Sequence, residues 1–73
     1  MQRYRNLGGD SGVESFGIDP DAIRVRFREN ERIYRYSHAS AGHRHVEEMK
    51  RLALAGQGLA SYISRHVRDR YEP

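Results

Sequence analysis

Five side chains stand out for the chemistry they could share: Arg24, Arg26, Arg28, Tyr34 and Tyr36. The arginines alternate along one run and the tyrosines along the next. A hairpin joining the two runs would set guanidinium groups among phenol rings. Guanidinium forks match phosphate and flat rings stack on unpaired bases, so such a face suits single-stranded RNA. These five residues form the candidate nucleic-acid-binding site. Alternating arginines are also the ordinary composition of a solvated strand face, where they discourage edge-to-edge aggregation. A Tyr/Arg surface equally anchors protein contacts, self-association included. Both alternatives stay open at this level.

Other chemistry finds little footing. Asp19 and Asp21 flank Pro20, and turn formation accounts for both. His38, His43, His45 and His66 follow no recognised ligand spacing, and on a helix His43 and His45 point apart. Ser15, Ser37, Ser61 and Ser64 lack a nucleophile-elbow setting, and Gly8-Gly9 precedes no helix that could cradle a phosphate. The chain has no cysteine, which excludes disulfides and thiolate metal sites. A chain of 73 residues also has little room to enclose a substrate. The expectation is a non-enzymatic binding module with no catalytic residue, no metal and no cofactor.

The elements that must position the five residues are legible from periodicity. Val13 to Ile18 is a strand candidate, and Asp19-Pro20-Asp21 has turn chemistry. Ile23, Val25 and Phe27 then alternate with Arg24, Arg26 and Arg28, which defines a half-buried strand. After Glu29-Asn30-Glu31 comes an aromatic run, Arg32 to Ser37. A three-residue loop at Glu29 to Glu31 pairs Arg28 with Arg32, Arg26 with Tyr34 and Arg24 with Tyr36. That register leaves the arginines and tyrosines together on the open face, but puts Arg35 on the covered side beside Val25, where it must snorkel or pair with Glu47 or Glu48. A slip by one residue, pairing Phe27 with Tyr34, reverses the faces, burying the tyrosines and exposing Arg35. The loop chemistry and the alternation favour the first register.

Ser40 is placed to cap a helix from Ala41, along which Val46, Met49, Leu52 and Ala53 repeat at helical spacing. Gly56-Gln57-Gly58 ends it. Leu59, Tyr62, Ile63 and Val67 define a second amphipathic helix whose last turns carry Arg65, His66 and Arg68, suited to the negative end of its dipole. Tyr71 is expected to fold back as a lid on the core. The fold class is α+β: a three-stranded antiparallel meander followed by two α-helices packed on one face. Residues 1–11, with the turn Gly8-Gly9-Asp10-Ser11, read as a flexible arm, and residues 12–73 as the folded domain.

At this point the order of motifs resembles the KTSC domain. Ile18-Asp19-Pro20-Asp21 looks like that family's strand-then-Asp turn, followed by Val25-x-Phe27 and by the Tyr-x-Tyr signature as Tyr34-Arg35-Tyr36. The end, Tyr62-Ile63-Ser64-Arg65-His66-Val67-Arg68-Asp69-Arg70-Tyr71, is similar to the family's aromatic, apolar and basic closing segment. The likeness runs from about Ser11 to Tyr71. It departs at the Glu29-Asn30-Glu31 turn, which usually contains Gly, and at His38-Ala39-Ser40, where Val-Pro is common. The small Ser and Gly early in the last helix are Gly58 and Ala60 here. Such domains occur alone in bacterial proteins and at the C-terminus of some lysyl-tRNA synthetases, and the resemblance implies the same fold with RNA binding as the proposed role.

Composition sets the remaining bounds. Thirteen basic residues against ten acidic ones give a charge of +3, and twelve of the thirteen are Arg. The sequence pI is near 9.7. An Arg-rich small basic protein is compatible with nucleic acid, although a GC-rich coding sequence leaves the same bias. Arg65, Arg68 and Arg70, with Lys50 and Arg51, could extend a basic surface. One small core is worth only about 3–5 kcal/mol, so a homodimer or a protein partner is the other expectation. The apolar runs are too short to cross a bilayer and no secretory signal follows Met1-Gln2-Arg3-Tyr4-Arg5, so no membrane partner is expected and the location is taken as cytoplasmic.

Overall fold

A computed structural model describes residues 1–9 and 11–73. Asp10, part of the expected Gly8-Gly9-Asp10-Ser11 turn, lies outside the described residues. The fold is α+β. Its sheet is antiparallel with strand order β1-β2-β3-β4, made of β1 (Gln2–Arg3), β2 (Val13–Asp19), β3 (Ala22–Phe27) and β4 (Ile33–Ser37). Helices α1 (His38–Ala41), α2 (His43–Ala55) and α3 (Leu59–Tyr62) follow, and α3 runs on into a π-helical stretch, Ile63–Val67.

The fourth strand is a correction to the expected three, and it comes from the segment expected to be an arm. Gln2 pairs with Phe16 and Arg3 with Ser15. Next to them Tyr4 is buried in the core, and its hydroxyl accepts the Leu59 amide at 3.3 Å. The reason is a single aromatic residue. Arg3 and Arg5 make the segment look solvated, but burying one tyrosine ring is worth about 1.5–3 kcal/mol and holds the flanking backbone against the β2 edge.

Turn chemistry places β2 against β3 as expected, with Asp19 paired to Ala22 across Pro20-Asp21. Phe16 lies opposite Val25 and Ile18 opposite Ile23. Phe16, Ile23 and Val25 face the helices and are buried with Val46, Met49 and Ala53 of α2 and Leu59, Ile63 and Val67 beyond it. These helical residues are those whose 3.6-residue spacing predicts burial.

Helix α1 begins three residues earlier than expected. Ser37, not Ser40, is its N-cap: the Ser37 hydroxyl accepts the Ser40 amide, and the Ser40 hydroxyl accepts the Ser37 amide, both at 3.0 Å. This reciprocal pair is a capping box. Gly42 then breaks the helix at φ 101°, a backbone conformation that side-chain-bearing residues rarely adopt, and α2 starts in a new direction. At the far end Arg68 closes the π-helical stretch, its amide donating to Ile63 O at 2.7 Å. The chain then returns across the hairpin, where the Glu72 amide donates to Arg35 O at 2.7 Å on the outer edge of β4.

Candidate functional site

The β3–β4 register decides what the sheet presents, and it is neither of the two expected. Val25 pairs with Tyr34, Ile23 with Tyr36, Arg24 with Arg35 and Arg26 with Ile33. Relative to the favoured register, β4 is displaced by one residue, so both tyrosines share the helix-covered face with Ile23 and Val25. The expected plaque of Arg24, Arg26, Arg28, Tyr34 and Tyr36 is therefore divided between two faces. Two local causes set the offset. Glu29 adopts φ 60°, which turns the chain sharply just beyond the end of β3. Asn30 folds that loop on itself: its Oδ1 accepts the Arg32 amide at 2.9 Å and its Nδ2 donates to the Tyr34 hydroxyl at 3.2 Å. The larger cause is burial. The favoured register would put the Arg35 guanidinium under the helices, whereas this one puts the Tyr36 ring there, and hiding a charge costs far more than hiding a phenol.

On the open face Arg24, Arg26 and Arg35 are matched by acids, whereas Arg28 lies exposed just beyond the end of β3 with no acidic partner among the described residues. Arg24 Nε lies 3.1 Å from Asp19 Oδ2, and its guanidinium sits over Gly17, in the space a Cβ would take. Arg26 pairs with Glu14 at 3.4 Å. Arg35 meets Asp19 at 3.7 Å, Asp21 at 3.1 Å and Glu72 at 2.7 Å, and these carboxylates, Glu72 foremost, raise its affinity for its proton. Neither Glu47 nor Glu48 meets Arg35; they pair with Lys50 and Arg51 instead, which removes that lysine and arginine from any continuous basic surface.

The aromatic residues converge elsewhere. Phe27, Tyr34, Tyr36 and Tyr71 line a groove of about 520 Å³ between the hairpin and the C-terminal tail, with Asn30, Ile63, Arg68 and Asp69 completing its wall. Tyr71 folds back as expected, its ring edge-on to Tyr34 at 4.7 Å and to Tyr36 at 5.9 Å. Phe27 stands edge-on to Tyr34 at 5.6 Å. Tyr36 is the groove floor: it is 1% exposed, and its hydroxyl donates to Arg68 O at 3.1 Å. Burial, with the neighbouring Tyr71, Tyr34 and Asp69, pushes its pKa up to about 12. Above the groove the Arg32 guanidinium lies 4.8 Å from the Tyr34 ring centre and 5.1 Å from that of Tyr71. A cation and two partly exposed rings thus meet at one mouth, built from the hairpin loop and the tail.

The histidines divide into two groups. His43 and His45 do diverge on α2, as helical geometry requires. His45 Nδ1 shares a hydrogen bond of 2.7 Å with the Tyr62 hydroxyl and stacks on His66 at 5.5 Å. His43 instead meets His38, with ring centres 4.3 Å apart, and Glu47 stands one turn along the same helix face. The His38 Nε2 proton is donated to Glu47 Oε2 at 2.8 Å, and Lys50 Nζ approaches the same oxygen at 3.0 Å. His38 foremost, then Lys50, holds the Glu47 carboxyl below its ordinary pKa. The signal for this group was the four-residue interval from His43 to Glu47; His38 joins them only because Gly42 turns the chain.

No family model matches this chain, and neither a curated protein nor a solved structure matches it. Among the described residues no helix is long and apolar enough to cross a membrane.

Proposed function

We propose that the chain is a non-catalytic binding module for single-stranded RNA whose stacking element is the Arg32–Tyr34–Tyr71 mouth. The observation that carries this reading is the guanidinium of Arg32 lying within about 5 Å of both ring centres. An exposed Arg–Tyr contact is worth about 0.5–1 kcal/mol, whereas a base stacked on an aromatic ring is worth about 1–3 kcal/mol. A base can therefore displace the guanidinium from the rings and leave it free to meet a phosphate. Of the residues first expected to bind, Tyr34 keeps its role and Tyr36 becomes support beneath it. Arg24 and Arg26, already matched by carboxylates, drop out. The reading is in keeping with the resemblance to the KTSC domain and its proposed RNA role. The test is titration of a labelled single-stranded RNA at two salt concentrations. Binding should weaken steeply with salt, and Tyr71→Ala should weaken it roughly 5- to 150-fold, the equivalent of one lost stack. Arg24→Ala should change little. Absence of binding at low salt removes the reading.

A second reading has its own observation. The open sheet face carries balanced ion pairs around Ile33, which is 48% exposed. A neutralised face with an apolar centre suits a protein partner or a second copy of the chain better than a polyanion. Sedimentation equilibrium decides it for self-association: a dimer broken by Ile33→Asp supports it, and a strict monomer at high micromolar concentration excludes it.

A further inference from the structure

We infer that His38, His43 and Glu47 form a binding site for a divalent transition-metal ion, with Zn²⁺ the best match to the donor set. One donor atom from each residue lies within 4.8 Å of the other two. Zinc bonds of 2.0–2.2 Å to nitrogen and oxygen set neighbouring donors roughly 3.0–3.6 Å apart, so side-chain rotation of an ångström or so closes the set. The His38 Nε2 to Glu47 Oε2 separation, 2.8 Å, is a hydrogen-bond distance that need open only by roughly a few tenths of an ångström to reach that range. A metal would replace the proton now shared between those two atoms.

The backbone supports the arrangement from both sides. His38 is the first residue of α1, fixed by the Ser37–Ser40 capping box, and His43 is the first residue of α2. Gly42 between them, at φ 101°, turns the chain so that the two rings approach. Glu47 follows His43 by four residues, so both side chains leave the same face of α2. Two imidazoles and a carboxylate favour zinc and its neighbours over magnesium or calcium, which require shells of oxygen. His43 and Glu47 are exposed and His38 half-buried, which leaves room for water or a partner's side chain to complete the coordination. Lys50 is the competitor at Glu47, and it holds an alternative acceptor in Pro20 O at 3.2 Å.

The site shares no residue with the aromatic groove, so its test is independent of RNA binding. Zn²⁺ is titrated calorimetrically into the whole chain, with Mg²⁺ in parallel, and imidazole resonances are followed by NMR. The expected result is one Zn²⁺ per chain at micromolar affinity, shifts confined to His38 and His43, and no heat with Mg²⁺. His43→Ala and the isosteric Glu47→Gln should each weaken binding by about ten-fold or more. A His45→Ala/His66→Ala double variant should bind as the parent does. Circular dichroism checks each variant's fold; if His43→Ala does not fold, Glu47→Gln and the parent's resonances decide. No zinc heat, shifts centred on His45 and His66, or affinity indifferent to Glu47→Gln would overturn the assignment.

Discussion

Arg24 and Arg35 lie directly opposite each other on neighbouring strands, and one carboxylate oxygen of Asp19 serves both guanidinium groups, at 3.1 and 3.7 Å. Like charges placed across a ladder repel, so Asp19 is the residue that makes this pairing tolerable. Asp19→Asn should lower stability by about 0.5–1 kcal/mol, because the pairs are partly solvated. Urea denaturation at low and at molar salt checks this, and the deficit should shrink as salt screens the repulsion.

Tyr36 gives a prediction on the alkaline side. Its folded-state pKa of about 12 stands above the ordinary tyrosine value near 10. The folded protein therefore holds this proton more tightly than the unfolded chain does. The contribution is fully present below pH 10 and is lost as pH rises towards 12, amounting to roughly 2–3 kcal/mol. Tyr36→Phe should cost about 0.5–1.5 kcal/mol at neutral pH, through the orphaned Arg68 carbonyl, and should flatten this part of the alkaline loss. Stability curves from pH 8 to 12 for the two proteins make the comparison.

Tyr4 tests whether the amino-terminal segment belongs to the fold. Removing a buried aromatic side chain costs about 3–5 kcal/mol, close to the whole stability of so small a domain. Tyr4→Ala should thus be largely unfolded at room temperature by circular dichroism. Tyr4→Phe keeps the ring and loses only the acceptor for the Leu59 amide, so a deficit near 1 kcal/mol is expected.

Gly42 sits at φ 101°, and a side chain there is strained whatever space surrounds it. Gly42→Ala should cost about 1–3 kcal/mol, and each kcal/mol lowers the melting temperature of a domain this small by roughly 4–8 °C. Thermal denaturation reads the effect directly.

Much of this architecture was legible from local patterns. Asp19-Pro20-Asp21 announced its turn, Gly56 its helix end, and Leu59, Ile63 and Val67 their buried face. The hairpin register was not legible, because it was settled by a contest between distant groups. Tyr36 reaches Arg68, and Arg35 reaches Glu72; no window around the hairpin contains either partner. Tyr4 was hidden for a similar reason, since two flanking arginines outweigh one ring in any average over neighbours. His38 and His43 looked unrelated because the helix was expected to start at Ala41, which left His38 outside it, and Gly42 turns the path between them.

The tail that ends in Tyr71 and Glu72 has a double duty. Its amide occupies the outer rim of β4 while its ring walls the aromatic mouth, so peeling it away would open both together. Shielding of an edge strand and the shape of the mouth thereby rest on the same few residues.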